Sequence, residues 1–188
     1  MKTIILAIAA SVGLMMSTAF ANDFEPQLQA YLDGASWVQD PIVVAAIEAQ
    51  NVENAGLGQA DIDALDQQWR AEKDAGGGSL ISEVLANELS VWLRGVKADS
   101  NGLIAEVFVM DMHGLNVGQS DPTSDYWQGD EGKFQNTYGV GAGAVFIDEV
   151  EFDDSSESFI SQVSQTIVDG SGAAIGAVTI GINVEALP

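Results

Sequence analysis

Residues 103–120 read LIAEVFVMDMHGLNVGQS, and this stretch decides the fold. Its first nine residues form a nearly continuous apolar run, rich in branched and aromatic side chains, which is typical of a buried β-strand. The run ends at Asp111 and the turn Met112-His113-Gly114, so the residues LNVGQS are predicted to return as the second strand of a hairpin. The pattern therefore changes from helix to sheet close to Asn101-Gly102.

Three further strands are predicted downstream, at residues 144–152, 158–167 and 173–184. The acidic turn DDSSES joins the first two of these strands, and the turn DGSG joins the last two. Short turns between strands favour antiparallel neighbours, so a meander is the simple pairing. The second half of the chain is thus predicted to be one antiparallel sheet of about five strands.

The first half carries helical patterns. Asp40 followed by Pro41 is a good helix start, because the aspartate side chain caps the first turn and proline suits the first helical position. Helices are predicted at residues 24–32, 41–51, 60–73 and 79–97, the last being a long helix that backs the sheet. We expect a single α+β domain over residues 22–188, with a helical part at 22–98 and a sheet part at 99–188.

Residues 1–21 have the three parts of a secretory signal peptide: a charged start at Lys2, an apolar run over 4–16, and the small-residue ending Ala19-Phe20-Ala21. Cleavage after Ala21 would give a periplasmic protein that starts at Asn22. The alternative is a retained signal anchor. No other stretch has the length and apolar character of a membrane span, so no membrane insertion is expected after cleavage.

The chain is strongly acidic, with 28 Asp and Glu residues against 6 Lys and Arg residues and a formal charge of −22. Phosphate backbones and anionic lipid surfaces bind proteins largely through lysine and arginine, so no nucleic-acid partner is expected. The charge is explained either by solubility or by attraction of cationic solutes.

The order of the predicted elements resembles the Cache superfamily of PAS-like extracellular sensor domains, in its single-domain form. A long helix, a strand ending in Asp and Gly, a second strand, a short helix with Tyr-Trp and a three-strand meander follow one another. Three stretches carry the resemblance: IAEVFVMDMHGLNVGQS at 104–120, DYW at 125–127, and DGSGAAIGAVTIGINVEAL at 169–187.

The resemblance implies a small-molecule-binding input module, which in this family is usually anchored to a membrane and coupled to a kinase, a chemoreceptor or a cyclase. This chain resembles the sensor without the output. We therefore expect a protein that captures a small molecule in the periplasm and presents it to a membrane receptor or kinase, or sequesters it. The alternative is a protein–protein interaction module of the same fold with no small-molecule ligand.

The family's pocket lies between the sheet and a short helix, predicted here from about residue 124 to 136, which would put Tyr126 and Trp127 on its wall. Members that bind amino acids usually place an arginine just before their aromatic pair, whereas this chain has Asp125 there. Acidic and aromatic side chains suit an ammonium group, so the expected ligand is a cationic amine. Trp127 has a second interpretation as a core anchor, and Asp125 as a residue facing a positive helix start.

Two strands contribute further candidates. By a period of two, Phe146 and Asp148 share a face with Val150 and Phe152, and an acid on an apolar face needs a partner. Asp148 is therefore predicted to contact the ligand charge, with pairing to Lys133 or to backbone donors as the alternative. Thr179 lies on a small, partly polar face of the last strand, which leaves room for a ligand or for a closely packed helix.

Metal and catalytic sites have little support in the sequence. The oxygen-rich residues 153–157 do not match the spacing of a calcium loop, and His113 is the single histidine. The chain has no cysteine and no G-x-S-x-G motif, so neither an enzyme nor a cofactor is expected. An acidic hydrolase would require two carboxylates that face each other across an open cleft.

Overall fold

The computed structural model describes residues 22–154 and 156–188, so the predicted signal peptide lies outside the described residues. The helices are α1 (Glu25–Gly34), α2 (Pro41–Glu53), α3 (Gln59–Asp74), α4 (Ser79–Ala86), α5 (Glu88–Asp99) and α6 (Gly132–Gln135). The strands are β1 (Ile104–Met110), β2 (Asn116–Gln119), β3 (Val145–Asp153), β4 (Ser158–Val168) and β5 (Ala174–Asn183). Short 3-10 helices cover Ser36–Gln39 and Val184–Ala186.

The five strands form one antiparallel sheet in the order β2-β1-β5-β4-β3. Strands β3, β4 and β5 make a meander, and β5 then lies beside β1, which forms a hairpin with β2. The predicted meander is confirmed. This strand order, with α1 to α5 placed before the first strand and α6 between β2 and β3, is the PAS-like α+β fold that the Cache resemblance implies.

One face of the sheet packs against α1, α2 and α5. Val178 and Ile180 of β5 meet Ile47 of α2 and Leu93 of α5 in one cluster, and all four side chains are completely buried. Burial of each such side chain contributes about 1.5–3 kcal/mol of stability. Alternate residues of the strands point to the opposite face, which is where the candidate site lies. Within the described residues, no helix has both the length and the apolar character needed to cross a membrane.

The helix predicted over residues 79–97 is divided into α4 and α5 at Asn87. The backbone of Asn87 is extended, with φ −67° and ψ 162°, and its side chain accepts a hydrogen bond from the Ser90 N–H at 2.8 Å. Its amide group donates to the Val117 carbonyl at 2.7 Å, which holds the break against β2. The division lets α5 back the sheet while α4 packs with α3 in a separate hydrophobic cluster.

Strand β3 contains a β-bulge. Ile147 pairs with Val163 and Val150 pairs with Ser161, so three steps along β3 match two steps along β4. The extra residue shifts the side-chain alternation by one position, as a bulge does. Asp148 lies within the bulge.

The predicted common face of β3 is therefore wrong. Phe146 pairs with Ser164 and Phe152 pairs with Phe159, and these two β4 residues are an odd number of positions apart. Side chains of paired residues lie on the same face of a sheet, so Phe146 and Phe152 lie on opposite faces. A period-of-two pattern in the sequence cannot reveal the bulge that separates them.

Candidate functional site

A cleft of about 490 Å³ opens on the face of the sheet opposite α1, α2 and α5. We call it the acidic cleft, because six of its lining residues are carboxylates and two are lysines. The carboxylates are Glu106, Glu131, Asp148, Glu149, Glu151 and Asp153. The other lining residues are Lys73, Pro122, Thr123, Ser124, Lys133, Phe152, Ile160 and Gln162.

Glu106 and Gln162 lie at the base of the acidic cleft, on β1 and β4. The Gln162 side-chain amide donates to the Glu106 carboxylate at 2.8 Å. Burial raises the pKa of Glu106, although the hydrogen bond from Gln162 and the charge of Lys133 oppose that rise. Gly181 of the neighbouring strand leaves space for this carboxylate, since a Cβ there would lie 2.7 Å from Glu106 Cγ. The Gln162 hydrogen bond and the Lys133 charge thus offset only part of the cost of burying the Glu106 carboxylate at the base of the cleft.

Both lysines of the acidic cleft already have partners. Lys73 donates to the carbonyl oxygens of Pro122 and Thr123 at 2.9 and 2.8 Å. Lys133 forms an ion pair with Glu131 at 2.7 Å and has a side chain that is 11% exposed. The net charge of the lining is negative, and the cleft is electrostatically suited to a cation rather than to an anion.

The structure places Asp148 on the wall of the acidic cleft. Its carboxylate accepts a hydrogen bond from the Glu149 N–H at 2.9 Å. Its main-chain carbonyl accepts from Asn22 at 2.8 Å and from Ser161 at 2.7 Å, which fixes the bulge in position. The alternative of a backbone donor for Asp148 is therefore observed, whereas Lys133 pairs with Glu131. One backbone donor leaves most of the acceptor capacity of a carboxylate available.

The Asp125-Tyr126-Trp127 segment, called the DYW segment below, is not helical. The predicted short helix over residues 124–136 is wrong, because α6 covers Gly132–Gln135 alone and Trp127 forms an isolated bridge with Leu115. Asp66 of α3 explains the difference. Its carboxylate accepts hydrogen bonds from the N–H groups of Tyr126 and Trp127 at 2.9 and 3.1 Å, which holds this backbone extended.

The rings of the DYW segment pack into the protein. Tyr126 is 6% exposed and stacks on Trp69 with ring centroids 5.3 Å apart, and burial raises the pKa of its hydroxyl. The Trp127 indole donates to the His113 carbonyl at 2.8 Å. Neither ring lines the acidic cleft. The interpretation of Trp127 as a packing anchor agrees with this geometry, and a ligand contact by either ring stays a prediction.

Asp125 is also engaged within the protein. It accepts from the Gln128 side-chain amide at 2.5 Å and from the Arg70 guanidinium at 3.2 Å. The Arg70 guanidinium, which belongs to α3, also pairs with Asp66 at 2.6 Å. The alternative role of Asp125 at a helix start is wrong, because no helix begins at this residue.

Phe146 and Thr179 lie on the same side of the sheet as the acidic cleft but outside its lining. The Phe146 ring reaches the start of α6, where a Cβ on Gly132 would lie 3.5 Å from the ring. Thr179 is completely buried, and its hydroxyl lies 2.9 Å from that of Ser164. Of the six predicted site residues, the structure brings Asp148 alone to the acidic cleft, so ligand contacts by the other five stay predictions.

Sequence reasoning did not select Glu106, Gln162 or Glu131. For Glu106 a signal was available, because it is the one acid inside the apolar run LIAEVFVM. Its neighbour Gln162 is 56 positions away on β4, and the two meet because both pair with Gly181 of β5. Lys133, the alternative partner predicted for Asp148, lies in the same cleft.

No family model matches the sequence. No curated protein matches it either. Solved structures with detectable likeness include the sensor domain of the V. cholerae histidine kinase DctB, with 12% identity and a TM-score of 0.46. The alignment covers 87% of this chain and 53% of that chain.

Two further solved structures show a comparable likeness. The sensory domain of the Campylobacter jejuni chemoreceptor Tlp3 has 16% identity and a TM-score of 0.43, over 87% of this chain and 64% of that chain. The E. coli DcuS sensor domain has 18% identity and a TM-score of 0.39, over 66% of this chain and 92% of that chain. The chain therefore spans between half and two thirds of the DctB and Tlp3 structures.

Proposed function

We propose that this protein is a periplasmic sensor or capture module that binds a small cationic amine in the acidic cleft. The observation that carries the proposal is the charge of that cleft, whose lining has six carboxylates against two lysines that are already paired. An ammonium ligand would gain charge pairing with the wall and the base. A carboxylate ligand would be repelled from the same surface.

The size of the acidic cleft supports a small-molecule ligand. Its volume of about 490 Å³ falls within the range of about 300–1,000 Å³ typical of ligand pockets. The lining combines carboxylates with the apolar side chain of Ile160, and such a combination suits an amine or a polyamine, whose charged groups are joined by an alkyl chain. We propose Asp148 and Glu106 as the charged contacts.

The proposal has two further parts. Residues 1–21 are a signal peptide that is cleaved, and the signalling partner is a membrane receptor or kinase. The proposed role is to bind a ligand without transforming it. The N-terminal residue of the protein recovered from a bacterial periplasm tests the cleavage, which we expect between Ala21 and Asn22.

A thermal-shift screen of the mature protein tests the proposed ligand class. The probes are amines such as putrescine and choline, together with amino acids, carboxylates and purines. A ligand present at about 100 times its Kd adds about 2.7 kcal/mol of stability, which a melting curve detects easily. We expect amines to raise the melting temperature. Stabilisation by carboxylates but not by amines would refute the cationic ligand while leaving a sensor role intact.

Isosteric variants test whether the amine binds in the acidic cleft. Asp148→Asn and Glu106→Gln each remove one charge from the acidic cleft and keep an oxygen that can accept the Glu149 and Gln162 hydrogen bonds. The matched control is Glu48→Gln, which removes the same charge from the exposed side of α2. We expect the amine-induced shift to fall in the first two variants and to persist in the control.

An interaction module is the second candidate function, and one feature favours it. Phe152 and Phe159 are 54% and 47% exposed near the end of the β3–β4 hairpin, and their rings meet edge-on at 5.2 Å. Exposed aromatic pairs of this kind often mark protein contacts. If no compound class stabilises the protein and the double variant Phe152→Ser, Phe159→Ser abolishes its self-association or partner binding, this second function replaces the first.

A further inference from the structure

Lys133 occupies an unusual position for a lysine. Its side chain is 11% exposed and lies inside the acidic cleft instead of extending into solvent. Lys133 belongs to the four-residue helix α6. The next residue of this helix, Phe134, is buried against Phe108, Met110 and Ala177. The packing of Phe134 therefore fixes where the Lys133 side chain starts, and the lysine is directed over the sheet.

The groups around the Lys133 ammonium form a site for a primary amine. The Glu131 carboxylate lies at 2.7 Å and the Gln128 side-chain oxygen at 3.4 Å. The Phe108 ring lies beneath the ammonium, with 5.4 Å between Nζ and the ring centroid. The negative charge of Glu106 also acts on Lys133 from the base of the cleft. A carboxylate, an amide oxygen and an aromatic face are the groups that recognise an ammonium ion.

We propose that a primary-ammonium site formed by Glu131, Gln128 and Phe108 adjoins the acidic cleft, that Lys133 fills this site in the ligand-free protein, and that the ligand's own ammonium displaces Lys133. This inference rests on the proposed function for the identity of the ligand. It adds the ligand's chemical class, a primary amine, and a competition within the protein. Displacement would release the Lys133 side chain from this site, while the packing of Phe134 keeps α6 in place.

Chemical rescue tests the site without knowledge of the natural ligand. Lys133→Ala removes Cγ, Cδ, Cε and the ammonium, a fragment that n-propylammonium replaces. We expect n-propylammonium chloride to raise the melting temperature of this variant by about 2–4 °C, and to leave the wild-type protein unchanged at the same concentration. Potassium chloride at equal ionic strength controls for screening of the acidic surface, and 1-propanol controls for the apolar part of the probe.

Lys73→Ala is the matched control variant. Lys73 lines the same cleft, so its loss removes the same charge, but its ammonium contacts the main-chain carbonyls of Pro122 and Thr123 at the rim. Rescue of Lys133→Ala alone supports the site. An equal response of Lys73→Ala or of the wild-type protein, or no response of Lys133→Ala, overturns it. If Lys133→Ala does not fold in buffer, recovery of its near-UV circular dichroism by n-propylammonium but not by 1-propanol supports the site, and failure of that recovery overturns it.

The chemical rescue and the amine screen test separate claims, so either claim can be rejected while the other is kept. Rescue of Lys133→Ala together with a wild-type protein that responds to no amine would keep the ammonium site and reject the proposed function. An amine that stabilises the wild-type protein while n-propylammonium fails on Lys133→Ala would keep the proposed function and reject the displacement of Lys133.

Discussion

Two regions of this protein combine aromatic rings with carboxylates, and they differ in how those carboxylates are used. At the DYW segment, the carboxylates of Asp125 and of Asp66 from α3 accept hydrogen bonds from two backbone N–H groups, a glutamine and an arginine. In the acidic cleft, the described contacts of Glu106 and Asp148 are one donor each, and the surrounding charge is negative. The carboxylates at the DYW segment are therefore occupied by donors of the protein itself, whereas those of the acidic cleft can still pair with a ligand.

The difference teaches that a ring next to a carboxylate is not by itself a cation site. The acceptor capacity that remains after internal donors are counted decides whether a ligand has anything to pair with. Tyr126 and Trp127 follow Asp125 in the sequence, but the Asp125 carboxylate already accepts hydrogen bonds from Gln128 and from Arg70 of α3. The cleft acquires its carboxylates from three segments that are distant in the sequence, namely β1, the residue before α6, and β3.

Removal of the Trp69 side chain should cause the largest loss of stability. Trp69 is completely buried, stacks on Tyr126, and donates its indole N–H to the Thr123 carbonyl at 3.1 Å. Trp69→Ala is expected to lower the free energy of unfolding by about 3–5 kcal/mol, measured by urea denaturation. Trp69→Phe keeps most of the apolar contact and should cost less. A loss below about 1 kcal/mol in the alanine variant would contradict a closed, well-packed DYW region.

Asp66 should be the next most sensitive position. Asp66→Ala leaves the N–H groups of Tyr126 and Trp127 without their acceptor, which is expected to cost about 2 kcal/mol. Asp66→Asn keeps a side-chain oxygen at the same position and is expected to lose less than half of that amount. The exposed pair with Arg70 contributes little to either value. Equal losses in the two variants would show that charge, and not the acceptor, holds the segment.

Most of the fold could be predicted from the sequence because the signals are local. The apolar run at 103–111 and the turns between the later strands identify all five strands, and Asp40-Pro41 identifies the start of α2. Besides the bulge in β3, two details of the backbone were not predictable. The division at Asn87 depends on a hydrogen bond to Val117 from a strand 30 positions away, and the extended DYW segment depends on Asp66, 60 positions away.

The candidate site was less predictable, because a cleft is a property of several distant segments. Asp148 could be found as an acid on an apolar strand, but the bulge that places it in the cleft has no clear mark in the sequence. Glu106 was visible as an acid within an apolar strand. Its opening toward a ligand depends on Gly181, which faces it across the β1–β5 pair. Local sequence patterns predict the fold and the acidic character, whereas the site is formed by the pairing register of strands that are distant in the sequence.

The smallest effect on stability should be found at Glu106, and it should depend on pH. Burial raises the pKa of Glu106 in the folded protein, so the folded state binds more protons than the unfolded state between the ordinary and the raised pKa. Stability therefore falls as pH rises through this window. Glu106→Gln should be slightly more stable than the wild-type protein at pH values near 7, and this gain should disappear below the ordinary glutamate pKa of about 4.3.

Urea unfolding of both proteins at neutral and acidic pH measures this difference, with Glu48→Gln as the charge-matched control. A Glu106→Gln variant that is less stable than the wild-type protein at neutral pH would show that Gln162 and Lys133 compensate the carboxylate fully. The base of the acidic cleft would then offer a cation no unsatisfied charge.

Calorimetric titration of putrescine into Asp148→Asn and Asp125→Asn compares the two regions most directly. Both variants remove one carboxylate charge, one from the acidic cleft and one from the DYW segment. Because the amine is proposed to pair with the cleft alone, we expect its affinity to fall about tenfold or more in Asp148→Asn and to stay close to the wild-type value in Asp125→Asn. Equal affinities in the two variants, or a larger loss in Asp125→Asn, would contradict the assignment of the cation site to the acidic cleft.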